Sequence, residues 1–157
     1  MKITLNQNQL DWCKNLAMKR SGSMNHANTK NSTNFFKDKP GWWRHYVGAC
    51  GELAYAILTN QKVDTTTIGK GDTGIDFKDG VDVKSINSSF RPNRLLLLEK
   101  QFNRKIADSY VLAWCKLPEI ELLGSIKRNK IMEVKENVDY GYGNSYYIEI
   151  NHLNKII

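Results

Sequence analysis

Two aspartates and a lysine are the residues whose types and spacing could do chemistry. In residues 74–85, GIDFKDGVDVKS, apolar residues alternate with Asp76, Asp82 and Lys84 around the turn signal Lys78-Asp79-Gly80. A three-residue loop with Gly80 in the left-handed conformation makes a bulged hairpin. In that register Phe77 faces Val81, Asp76 faces Asp82 and Ile75 faces Val83. Side chains alternate across a sheet, so Ile75, Phe77, Val81 and Val83 line one face and Asp76, Asp82 and Lys84 the other. A two-residue loop would instead set Asp76 against Val83 and separate the apolar residues. Facing like charges repel, so the aspartate pair calls for a positive group between them. Oxygen donors with open water positions suit Mg²⁺ or Mn²⁺. Lys84 reaches the same side, where an ammonium can orient a water, lower its pKa or stabilise charge on a phosphate. A solvent-facing hairpin with Lys84 bridging two surface acids accounts for the same spacing, which does not separate the two readings.

The elements that must position these groups follow from periodicity. Residues 6–20 read as a helix with Leu10, Cys13, Leu16 and Ala17 on one stripe. Residues 45–59 read as a second, with Val47, Cys50, Ala54, Ile57 and Leu58 as its apolar stripe. The period then changes to two. Strands are expected at 63–68, at 74–77 and 81–86 as the two arms of the hairpin, at 94–99, 110–117 and 121–132, and at 145–150, with a helical turn or short helix at 100–107. The 110–117 run, YVLAWCKL, is apolar enough to be covered on both sides. This order predicts an α/β or α+β fold: a single domain over 1–157, with one central mixed β-sheet flanked by helices. Within it, residues 1–44 form a basic helix-and-loop extension, 45–132 the core and 133–157 a C-terminal extension.

Composition bounds the partners. The chain has 157 residues, 41% hydrophobic and 25% charged, enough for one packed core. No apolar run marks a signal peptide or a membrane span, and Cys13, Cys50 and Cys115 have no CxxC spacing. Reduced thiols in a cytoplasmic setting are expected. The net charge is +7. Residues 14–45 hold seven Lys and Arg against one acid, Asp38, and residues 84–105 hold six against Glu99. Such a charge permits nucleic acid, an acidic membrane or an acidic protein as partner, and the two basic blocks flank the acidic pair. Nucleic acid, with no membrane, is the expectation; a basic adaptor for an acidic protein would explain the charge but not the hairpin. Arg91 and Arg94 are candidates for backbone contacts. Arg44 and His45 stand at the start of the second helix, where His45 either touches a phosphate or is a helix-start histidine with no role. Ser85 follows the lysine, either as an aid to phosphate or as a polar strand residue. Trp42 and Trp43 either stack on an unpaired base or pack the loop onto the core. Asp72, between glycines, is a rival for the first acidic role.

Asp76 followed by Asp82-Val83-Lys84 at a hairpin resembles the PD-(D/E)XK nuclease superfamily, with its restriction-endonuclease-like fold. The preceding helical GACGELAYAIL, with Glu52, and the later YVLAWC and ELLGSI strands are similar in order over residues 45–130. Ile75 stands where the family has proline. The resemblance implies a metal-dependent nuclease, most simply a DNA endonuclease. Asp76, Asp82 and the Val83 carbonyl would hold Mg²⁺ or Mn²⁺, Glu52 would complete the site directly or through water, and Lys84 would position the attacking water. Glu52 lies off the apolar stripe, where the periodicity favours an exposed helix glutamate, but its neighbours on that side are the small residues Gly48, Ala49 and Ala56, which let another element approach. Cutting both strands of a duplex would call for two sites and hence a homodimer. The alternative is a nucleic-acid-binding module that keeps the fold and does not cut.

Overall fold

The computed structural model describes residues 1–23, 39–66, 75–104, 106–141 and 143–156. The elements are β1 (Lys2–Thr4), α1 (Gln7–Ser23), α2 (Trp43–Thr59), β2 (Val81–Ile86), β3 (Arg94–Leu98), α3 (Glu99–Arg104), β4 (Ser109–Lys116), β5 (Glu119–Lys127), α4 (Arg128–Val134), β6 (Glu136–Asp139) and β7 (Asn144–Glu149), with a 3-10 turn at Ile150–His152. The class is mixed α+β. The first sheet is mixed, in the order β1-β5-β4-β2, with β2 parallel to β4 and the other pairs antiparallel. The order β3-β7-β6 makes a second, antiparallel sheet.

Two cores lie on opposite faces of the first sheet. One joins α1 and α2 to Val81, Val83, Val111, Ala113, Cys115 and Ile120. The other joins β3, α3, α4 and β7 to Tyr110, Leu112 and Ile126. Apolar cover on both faces is why the β4 sequence is a nearly unbroken apolar run. Residues β2 and β4 being parallel, the chain must cross over between them, and it does so through β3 and α3 on the second face.

Helix α2 is buried on more than one side, with Val47, Ala49, Cys50, Gly51, Ala54, Tyr55 and Ala56 all enclosed. Its small residues let it lie between α1 and the sheet. It stops at Asn60, whose left-handed conformation (φ 54°) returns its N–H to the Ala56 carbonyl. Gly51 is the point of closest approach: a β-carbon there would run into Ser85 Oγ and sit 3.2 Å from Ala113 Cβ.

Several expectations are corrected. The strands form two sheets, because β3 turns away from β2 and pairs with β7. The 121–132 strand ends at Lys127, where the alternation gives way to a basic run and α4 begins. Residues 63–66 form no strand, while 67–68 lie outside the described residues. Residues 75–77 form a bend, not a strand arm. Of the expected α2 stripe, Val47, Cys50 and Ala54 are buried and Leu58 packs on the core, but Ile57 is 44% exposed, and burial extends instead to Ala49, Gly51 and Ala56. From the segments expected as extensions, β1 pairs with β5, α1 supplies Cys13 and Leu16 to the first core, and β7 supplies Tyr146 and Ile148 to the second. Among the described residues no helix is long and apolar enough to cross a membrane.

The helix-on-sheet contact gives a paired test. Gly51→Ala should lose stability, because overpacking of about 1–3 kcal/mol outweighs the roughly 0.5–1 kcal/mol that alanine gains over glycine within a helix. Gly48→Ala, three residues away with only Glu52 Oε1 at 3.9 Å, should raise it slightly. Urea melts of the two variants check this; equal shifts would show that α2 does not press on Ser85.

Candidate active site

The turn that carries the site is built as expected at its tip. Gly80 has φ 77° and donates its N–H to the Phe77 carbonyl at 3.0 Å. The Val81 carbonyl accepts from the Phe77 N–H at 3.2 Å and from the Asp76 N–H at 2.9 Å. Asp79 Oδ2 takes hydrogen bonds from Tyr55 Oη (3.3 Å) and Gln61 Nε2 (2.7 Å), which tie the turn to the end of α2.

From Val81 onward the strand alternates. Val81 and Val83 face α2, as does Ser85, while Asp82, Lys84 and Ile86 face the second core. Asp82 is only 2% exposed. The Lys84 ammonium straddles its carboxylate, 2.8 Å from Oδ1 and 2.6 Å from Oδ2. The Oδ1 contact has hydrogen-bond geometry. Oδ2 is close to the nitrogen, yet among the described residues no donor is aimed at it.

The pair opens into a cleft of about 190 Å³ with Arg44 at its polar side and Leu97, Phe102 and Tyr110 among its apolar walls. Burial pushes the Tyr110 hydroxyl up to about 12, with Arg128 opposing and Asp82 reinforcing. Tyr110 Oη accepts from Arg128 Nη1 at 3.3 Å.

Asp76 departs from its expected place. Because residues 75–77 bend, the alternation that would have set it on the Lys84 face does not apply. Its Oδ2 accepts the Val83 N–H at 2.7 Å instead. Strand β2 is at the sheet edge, and the N–H and C=O of one strand residue point to the same side. The Asp76 carboxylate and the Val83 carbonyl are therefore together on that edge, with Asp82 the adjacent residue.

Glu52 is placed differently again. It is 6% exposed, and Arg20 from α1 grips it in a two-pronged ion pair, Nη1–Oε1 and Nη2–Oε2 both at 2.8 Å. Arg20 Nη2 also donates to the Asp64 carbonyl at 2.9 Å. This pair lies on the α1–α2 side of β2, across the strand from Asp82. Among the described residues no three His, Cys, Asp or Glu side chains are grouped to hold a metal ion. Magnesium does not require such a cage: it keeps waters and takes one or two carboxylates plus substrate phosphate. The hard oxygens of Asp76, Asp82 and the Val83 carbonyl suit it in kind, and Asp82 Oδ2, buried beside the Lys84 nitrogen, has no hydrogen bond of good geometry among the described residues.

The remaining candidates divide. Arg44 is exposed and lines the cleft; His45 is half-buried in the first turn of α2. Ser85 is on the opposite face from Lys84, its Oγ buried beneath Gly51. Arg91 bonds Glu121 Oε1 at 3.0 Å and holds that carboxyl below its ordinary range. Arg94 stands against the rings of Tyr140 and Tyr147, 5.7 and 5.6 Å from their centroids. Trp43 and its neighbour Trp42 pack with Tyr46. Asp72, and with it Lys30, Lys37, Asp38 and Lys105 of the basic blocks, lies outside the described residues. Sequence reasoning missed Arg20 and Tyr110. Tyr110 had a signal in the strand alternation; Arg20 had only its position in the last turn of α1.

No protein-family model matches the chain, and no curated protein or solved structure matches it either.

The Arg20–Glu52 pair makes a prediction about stability. Arg20→Ala leaves a carboxylate buried without its cation, which costs about 3–5 kcal/mol for a fully enclosed pair. With the Arg20 side chain 20% exposed, a loss of roughly 2–3 kcal/mol is expected after that discount. Removing both partners in Arg20→Ala/Glu52→Ala should recover most of the loss. Denaturant titrations of the cycle check it, and simple additivity of the two single losses would contradict it.

Proposed function

We propose that the chain is a metal-dependent nuclease that hydrolyses phosphodiester bonds, with DNA as the substrate of choice. The observation that carries this reading is the buried Asp82–Lys84 pair at the mouth of a cationic cleft, beside the edge where Asp76 meets Val83. A Mg²⁺ or Mn²⁺ ion, when bound by Asp82, Asp76 and the Val83 carbonyl, supplies Lewis acidity and a more acidic water. The rest is the work of this chain's own side chains. Arg44 draws the phosphodiester to the cleft by charge, as the net +7 does at longer range. Lys84 has three donors, of which Asp82 uses one or two. The remainder can orient a water or a phosphate oxygen. Tyr110, a wall of the cleft and neutral at physiological pH, would offer an O–H to an anion rather than a competing charge. Asp82 fixes the ammonium in place, and Asp76 fixes the backbone of Val83.

Glu52 enters this reading at a distance, as the residue that locks α1 to α2 through Arg20. The buried free thiols Cys13, Cys50 and Cys115 support a reducing, cytoplasmic setting. Burial raises the Cys115 thiol to about 12, and contact with Cys13 raises Cys50, so neither is poised to react.

A second reading has its own observation. Both buried acids already have resident cations, Arg20 on Glu52 and Lys84 on Asp82, which suits a nucleic-acid-binding module that does not cut. Incubation with plasmid, single-stranded and branched DNA separates the two. The nuclease reading expects cutting with Mg²⁺ or Mn²⁺, none in EDTA, and losses on the order of 10²–10⁴-fold in Asp82→Ala and Lys84→Ala. Cutting that survives EDTA or Asp82→Ala would overturn the mechanism. Tight binding with no cutting under any condition would establish the module instead.

A further inference from the structure

Between β2 and β3 the chain runs through Asn87-Ser88-Ser89-Phe90-Arg91-Pro92-Asn93. Phe90 is 85% exposed, the most exposed of the large hydrophobic residues described. Its loop is nonetheless held at several points. Asn87 Nδ2 donates to the Cys115 carbonyl at 2.6 Å, and Trp114 Nε1 donates to the Ser88 carbonyl at 3.0 Å. Ser88 Oγ donates to the carbonyl of Phe90 itself at 2.7 Å. Arg91 is anchored on Glu121, and the Ile150 N–H reaches the Asn93 carbonyl at 2.9 Å. A backbone pinned on both sides of one outward phenyl ring presents that ring to solvent in a defined place.

Burying a phenylalanine is worth about 1.5–3 kcal/mol, and this loop forgoes it at a position where any polar residue would serve the fold. The ring stands next to Arg91 in the basic block of residues 84–105. It is six positions along the chain from Lys84, so the two lie within about 20 Å of each other, a span that a few nucleotides of one strand cover. Arg91 itself is engaged by Glu121, so the phosphates would be drawn by the net charge of +7 at longer range, and a neutral aromatic face held outward on such a chain matches a nucleobase. In a duplex the base faces are covered by their neighbours; an unpaired base leaves its face open.

We propose that Phe90 is a stacking platform for an unpaired base, and that it directs the chain toward single-stranded or branched nucleic acid. This rests on the reading that the chain binds nucleic acid, and it adds which form is preferred.

The test is binding in EDTA, where no cutting can intervene. Fluorescence anisotropy would be read with a labelled single strand, a fork with an unpaired arm, and a blunt duplex of the same length. Phe90→Ala should weaken binding of the strand and fork about tenfold, since stacking on one aromatic ring is worth about 1–3 kcal/mol per base. Duplex binding should change by less than about twofold. Phe90→Trp should keep the affinity, and the added indole emission should fall on binding the single strand. The Tm of Phe90→Ala should equal that of the parent, because the ring supports no core. If the parent binds and Phe90→Ala lowers all three affinities equally, or none, this inference is overturned and the nuclease reading stands. If the parent binds none of the three at low salt, the nucleic-acid reading itself fails, and the ring belongs to a protein contact.

Discussion

A carboxylate enclosed on the inner face of a sheet must have a cation beside it, and that requirement organises this molecule. Asp82 is enclosed because β4 and the second layer of β3, α3 and β7 cover the face of β2 on which its side chain falls. Lys84 meets it because two residues along a strand share a face. Such a pair is a poor way to gain stability: replacing a buried ion pair by well-packed apolar residues is often neutral or favourable. Leu96, Leu97 and Phe102 are at hand to enclose an apolar pair in its place. The retention of charge here is what supports the role proposed for the position.

The same constraint is met a second time across the strand. Glu52 would be untenable between α1 and α2 without Arg20, and the guanidinium satisfies both of its oxygens in the fork geometry that arginine alone provides. The sheet therefore separates two buried ion pairs, one opening to a cleft and one locking two helices. The small residues of α2 make the second pair reachable, since Gly51 allows the helix to seat on Ser85 and Ala113 and so brings its flank to α1.

Local features were legible in the amino-acid order. The left-handed Gly80, the alternation from Val81 to Lys84 and the doubly covered β4 follow from turn chemistry and period alone. The arm before the turn was not: alternation in residues 75–77 suggested a strand, but the Asp76 side chain bonds the Val83 N–H and the backbone bends around it. The second sheet depends on Arg94–Leu98 pairing with Asn144–Glu149, some fifty residues away, and no local pattern encodes that choice. Arg20 meeting Glu52 across 32 positions is of the same kind. The helical stripe misled at Ile57 because a helix covered on two sides has no single apolar face.

The central claim is that Asp76, Asp82 and the Val83 carbonyl form a seat for a divalent cation. Anomalous diffraction from a crystal soaked in Mn²⁺ tests it most directly. The account predicts a single strong peak at the β2 edge, in contact with both aspartates, with the Lys84 ammonium moved off Asp82 Oδ2. Absence of a peak there at saturating Mn²⁺, with the Asp82–Lys84 pair undisturbed, would contradict it.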